Sequence, residues 1–147
     1  MFKHILVPTD GSKLSVKAAK QAVKLAKSLG ARITGFYAVP DLSSTYYGDG
    51  YILRAPSAKA QAESAEKLAR KCLSVIEVEA EVEKVACAVF HVTSDSPYEA
   101  IIDAARKKKC DLIVMASHGR RGLSGLVLGS ETHKVLVHSK IPVLVCR

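Results

Sequence analysis

Short continuous apolar runs alternate with amphipathic stretches along this chain, and that alternation restricts its fold more than any other feature. His4-Ile5-Leu6-Val7, segment 31–39, a strand within Val85–Val92, Leu112-Ile113-Val114-Met115 and Ile141–Val145 read as strands. An unbroken apolar run such as the first or fourth suits a strand buried on both faces. Between the first two, Leu14, Ala18, Ala22, Leu25 and Leu29 recur at helical spacing, with Lys13, Lys17, Lys20, Lys24 and Lys27 opposite, and Gly30 stops the helix. A second helix begins near Ser57, with Ala65, Leu68, Ala69, Cys72 and Ile76 on one face. Its end is open, because residues 77–84 fit a solvated helix end and also alternate with period two. Ser96-Pro97-Tyr98-Glu99 predicts a capping box, with Ser at the cap, Pro at the first helical position and Glu at the third. The helix it opens ends in Lys107-Lys108-Lys109, cations favoured at that pole of the dipole. A last helix carries Val135-Leu136. The order β-α-β-α-β-α-β-α-β predicts an α/β parallel sheet covered on both faces, in one domain spanning 1–147.

Ligands of such sheets bind beyond the C-terminal ends of the strands, where the strand order reverses. The first strand ends in Pro8-Thr9-Asp10-Gly11-Ser12, and the fourth runs into the glycine-rich stretch Ala116–Ser130. Strand, glycine-rich loop and helix start together predict a phosphate seat, the glycines supplying φ > 0 and close backbone approach. If the two strands are neighbours, both turns meet over one crevice. Gly119, Gly129 and Ser130 would cradle phosphates, with a plain N-cap as the other reading of Ser130. Asp10 would accept hydrogen bonds from ribose hydroxyls or adenine's amino group, or else close an Asx-type turn or cap the first helix. Mg²⁺ at Asp10 is a further option, with no second carboxylate convincingly placed. Arg120 and Arg121 would clamp a polyphosphate or simply be solvated, and Lys134 is a weaker candidate. His118 is read first as ordering the loop, since no nucleophile with an orienting carboxylate accompanies it.

A chain of 147 residues, 48% of them apolar, is long enough to bury a core. It has no apolar stretch approaching the roughly 20 residues of a membrane span, and its start is patterned as a strand rather than a signal peptide. The expected compartment is the cytoplasm. Four scattered cysteines without a CxxC pair read as reduced thiols. A net charge of +8 admits anionic partners without choosing among them. Basic residues interleaved with stacking aromatics are missing, which argues against nucleic acid. The stretch 40–56 is long for a βα loop and reads as a flap or a partner contact, with surface packing as the other reading of Tyr46, Tyr47 and Tyr51.

Ile5-Leu6-Val7-Pro8-Thr9-Asp10-Gly11-Ser12, Ser117-His118-Gly119 followed after nine residues by Gly129-Ser130, and Pro142-Val143-Leu144-Val145 together resemble the universal stress protein family. The resemblance implies a doubly wound fold of strand order 3-2-1-4-5 and a homodimer formed through the last strand, here Ile141, Val143 and Val145. It implies the ATP-binding branch, whose loop reads Gly, two residues, Gly, nine residues, Gly, then Ser or Thr. Gly119, Gly129 and Ser130 match, whereas Ala116 stands at the first glycine, where φ > 0 would be costly. The resemblance also gives Asp10 its nucleotide role, Val39 a backbone that reads adenine, and Pro8 and Thr9 the floor beneath the base. The expected function is an ATP-binding (or ADP- or AMP-binding) regulatory protein of the stress response, with an unidentified signalling partner. The alternatives are a slow ATPase, disfavoured because Gly125–Ser130 lacks the lysine of GxxxxGK[ST], and a nucleotide-free dimeric adaptor of the same fold.

Overall fold

The computed structural model describes residues 1–41, 57–120 and 128–147. Tyr46, Tyr47, Tyr51 and Arg121 lie outside the described residues. Nine elements follow one another: β1 (His4–Pro8), α1 (Lys13–Leu29), β2 (Arg32–Val39), α2 (Ala58–Val82), β3 (Cys87–Thr93), α3 (Pro97–Lys107), β4 (Leu112–Ala116), α4 (Ser130–His138) and β5 (Val143–Cys146). The strands form one five-stranded sheet of order β3-β2-β1-β4-β5, parallel at every pairing. Each residue of the central strands β1 and β4 is buried, as their uninterrupted apolar sequence requires. The edge strands β3 and β5 are only half covered.

Ile5, Val7, Ile33 and Val114 point to one face of the sheet, under α1 and α2, while Leu6, Phe36, Ile113 and Met115 point to the other, under α3 and α4. Alanines carry the α1 contact, with Ala18, Ala19, Ala22 and Ala26 at most 1% exposed, while Leu14, Leu25 and Leu29 flank it. Ser12 caps α1 through its side chain, and Gly30 closes it at φ 61°. Residues 77–82, ambiguous by pattern, remain helical because Ile76 and Ala80 continue the buried stripe of α2 and leave Val78 and Val82 outside.

The capping box at α3 does not form. Pro97 takes the first position, but Ser96 makes no side-chain cap, and the Glu99 carboxylate accepts the Tyr98 hydroxyl instead. The Tyr98 N–H is satisfied from another element, by Glu131 Oε2 of α4 at 2.9 Å. β5 starts two residues later than its apolar run, since the Pro142 carbonyl receives the Ile113 N–H at 2.9 Å before the ladder begins. All four cysteines are free thiols. Among the described residues no helix is long and apolar enough to cross a membrane.

Candidate functional site

The strand order reverses between β1 and β4, which pair directly, so the segments leaving their C-terminal ends emerge side by side. The acidic turn after β1 folds on its own hydroxyls. Thr9 Oγ1 accepts the Gly11 N–H at 3.1 Å and lies 3.0 Å from Ser15 Oγ, while Gly11 takes φ 77°. Asp10 then faces two ways. Its Oδ1 accepts the Ser12 N–H at 3.0 Å, an Asx-type turn, and its Oδ2 accepts the Arg120 N–H at 2.7 Å, across the crevice. Burial alone would raise this carboxyl, but hydrogen bonds from the Ser12 hydroxyl, the Ser12 and Arg120 N–H groups and Ser15 outweigh it and hold Asp10 below the usual carboxylate range. An ionised, acceptor-only group in that position suits hydroxyl or amino donors and repels phosphate.

The glycines beside it serve space rather than dihedral freedom. Neither Gly119 nor Gly129 has positive φ, contrary to the expectation from their loop. A Cβ on Gly119 would lie 2.5 Å from Asp10 Oδ2, and one on Gly129 would lie 3.1 Å from the Ser117 carbonyl oxygen. Ala116 ends β4 in strand conformation opposite Cys146, so the alanine found where the family loop has glycine introduces no backbone strain. Its carbonyl accepts the Thr132 hydroxyl at 2.9 Å, which fastens α4 to the end of β4.

Ser117 fixes the loop's base. Its N–H donates to the Cys146 carbonyl and its carbonyl accepts the Gly129 N–H, each at 2.8 Å, while its hydroxyl lies 2.9 Å from His118 Nδ1. Because the Gly129 N–H is engaged, an anion at α4 would meet the N–H groups of Ser130 and Glu131, which by position have no intrahelical acceptor. Gly129 is the N-cap, and Ser130 is the exposed first residue of α4, which corrects the reading of Ser130 as a cap. Pro8 and Thr9 are buried at the end of β1. Val39 ends β2, and its carbonyl already accepts the Ser94 N–H at 2.9 Å, leaving one lone pair.

Two neighbours escaped the sequence reading. Cys72 of α2 and Tyr37 of β2 approach the acidic turn from the α1/α2 face. The Cys72 sulfur lies 3.8 Å from the Arg120 guanidinium, and a Cβ on Gly11 would come within 2.7 Å of that sulfur. Burial pushes both the Cys72 thiol and the Tyr37 phenol up. Neither carries a local signal, since α2 is brought here only by the folding of the sheet. Among the described residues no group of three or more His, Cys, Asp or Glu could hold a metal ion.

Fold and site together define a doubly wound α/β protein with an acidic turn and a glycine-bearing turn joined at the reversal of strand order. The chain belongs to the universal stress protein family, whose model matches residues 1–147. It is 35% identical over 150 residues to a universal stress protein of Thermus aquaticus, covering all of both chains, and 32% identical over 149 residues to YxiE of Bacillus subtilis, again over both whole chains. The solved structure of MJ0577, a universal stress protein of Methanocaldococcus jannaschii, superimposes with a TM-score of 0.79 at 26% identity, over 99% of this chain and 96% of that one. The fold is also shared with a universal stress protein solved in complex with cAMP, at TM-score 0.71 and 22% identity over 99% and 97% of the two chains. An Archaeoglobus fulgidus member in complex with dAMP matches at TM-score 0.64 and 15% identity over 100% and 98%.

Proposed function

We propose that this protein binds an adenine nucleotide, ATP or its di- or monophosphate, as a regulatory signal of the stress response. The observation that carries the reading is the joint between Asp10 and the Gly119–Arg120 segment. It sets an ionised acceptor suited to ribose hydroxyls within reach of a loop that ends at a helix N-terminus suited to phosphates. Complexes of related folds with cAMP and dAMP support an adenylate as the ligand class. In this reading Pro8 and Thr9 floor the base and the second lone pair of the Val39 carbonyl receives adenine's amino group. Ser130 and the start of α4 take the phosphates, with Gly119 and Gly129 keeping the backbone close and Ala116 bordering the ribose. Arg120 and Arg121 add positive charge, and Mg²⁺ would enter with the phosphates rather than on a protein-built cage.

Hydrolysis would be slow or absent. His118 is tied to Ser117, and among the described residues no general base is identified beside Asp10, whose depressed carboxyl suits it poorly to proton abstraction. We place the protein in the cytoplasm as a homodimer, a single domain per chain, joined through β5. This strand is the edge of the sheet beside β4, and Leu144 on it is 45% exposed. Val143 and Val145 would flank that contact, with Ile141 just before the strand.

Isothermal titration tests the reading: ATP should bind at micromolar level, and Gly119→Ala should weaken it about tenfold or more by driving a methyl group into the Asp10 carboxylate. Mass spectrometry of the purified protein should find adenylate carried through. Titrations showing no heat with ATP, ADP or AMP would leave the nucleotide-free adaptor.

A further inference from the structure

The Arg120 side chain does not reach toward the helix that would hold phosphates. Its backbone N–H is pinned to Asp10, and its guanidinium crosses to α2, 3.8 Å from the Cys72 sulfur. The same guanidinium nitrogen would lie 3.0 Å from a Cβ on Gly11, so it rests against the turn that follows β1. Arg120 therefore covers the side of the crevice bounded by β1, β2 and α2, the side to which the proposed function assigns the base. Its neighbour there is a poor one. A neutral thiol is a weak acceptor, and among the described residues no carboxylate forms an ion pair with Arg120.

We propose that Arg120 sets the selectivity of the crevice for phosphorylated nucleotides over uncharged nucleosides. The inference rests on the nucleotide reading and adds the residue that discriminates within it. Entry of any nucleoside moiety displaces the guanidinium from Cys72 and Gly11. A nucleotide compensates, because its phosphates offer the displaced fork a charge-assisted, bidentate partner far better than a thiol. A nucleoside offers nothing in return. The pinned backbone makes this a side-chain rotation about a fixed Cα, so the loop keeps its hold on Asp10 in both positions. The discrimination is then the difference between two contacts of one arginine.

The test is calorimetric titration of adenosine, AMP and ATP into the wild-type protein and into Arg120→Ala, an exposed position whose loss should leave the fold intact. The variant should bind ATP several fold to tenfold more weakly and adenosine no more weakly, so that the ratio of the two dissociation constants falls at least tenfold. In parallel, iodoacetamide labelling of Cys72 without nucleotide, followed by peptide mass spectrometry, should proceed severalfold faster in the variant. Equal weakening of adenosine and ATP would make Arg120 a direct contact to the nucleoside and overturn the proposal. So would an unchanged ratio, or unchanged Cys72 labelling. Failure of the wild type to bind any of the three ligands would instead overturn the nucleotide reading itself, with the labelling rate still reporting whether Arg120 covers the thiol.

Discussion

Asp10 illustrates how one side chain serves the fold and the site at once. The Asx-type turn is realised through one oxygen, while the other holds the loop after β4, a contact that neither sequence reading named. Asp10→Asn should separate these tasks. An amide keeps one acceptor and turns a donor toward one of the two N–H groups. The expected loss is about 1.5–3 kcal/mol, the range for a hydrogen bond to a charged acceptor, read as a shift of the urea unfolding curve. An unshifted curve would show that the joint contributes nothing. His4 predicts a pH dependence. Burial and the nearby Arg32 charge lower its pKa, its Nε2 lies 2.7 Å from Thr34 Oγ1, and its Nδ1 finds no hydrogen-bond partner among the described residues. The unfolded chain therefore binds the proton first as pH falls, so stability should begin to decline below the ordinary histidine value near 6.5. Urea midpoints between pH 7.5 and 5 should fall less in His4→Gln than in the wild type. The depressed Asp10 carboxyl has the same sign at lower pH: its stabilisation is present above the ordinary carboxylate range and is lost as pH drops through the folded value.

Elements, in contrast, were legible where one periodicity governed and illegible where satisfaction came from elsewhere. The Gly30 stop of α1 and the buried runs of β1 and β4 are local properties, visible in the sequence. The N-terminus of α3 is not, because its Ser-Pro-x-Glu pattern fits a capping box while the Tyr98 N–H finds Glu131, 33 positions away in the chain. Glu131→Ala should therefore destabilise the protein by about 1 kcal/mol, the usual cost of a lost cap, whereas Ser96→Ala should be nearly silent. Thermal unfolding of the two variants separates the cases, and the reverse order would restore the capping box. The sheet adds a similar lesson at Gly35 of β2, where a Cβ would sit 3.0 Å from Val89 and 3.1 Å from Ile76. That glycine lets α2 lie close over the sheet, a contact between elements that no local pattern announces.

At the scale of the whole molecule, the edge strand beside β4 is the feature with a consequence. Leu144 of β5 is exposed beside an edge that no further strand covers among the described residues, and Leu136 and Val137 of α4 are exposed on the other side of the sheet. If β5 joins two copies, Leu144→Arg should shift the protein to a monomer in light-scattering chromatography and leave nucleotide affinity within about twofold, since β4 stands between β5 and β1, the strand that leads to Asp10. A variant that remains dimeric would move the interface off β5. Of the sequence-named interface residues, Ile141 and Val143 already pack partly against the α3/α4 core, so the exposed Leu144 is the sharper probe.

The sequence by itself determined the order of the elements, the double-sided burial of the central strands, and the presence of an acidic turn and a glycine-bearing loop at two strand ends, because each is written in residues a few positions apart. Tertiary structure decided why the glycines are there, which group caps α3, and what the arginine of the loop touches. Those outcomes depend on distances between segments far apart in the chain, set when β1 and β4 pair and α2 closes over one face. Gly119 is small because Asp10 lies behind it, and Arg120 finds a thiol because α2 lies there.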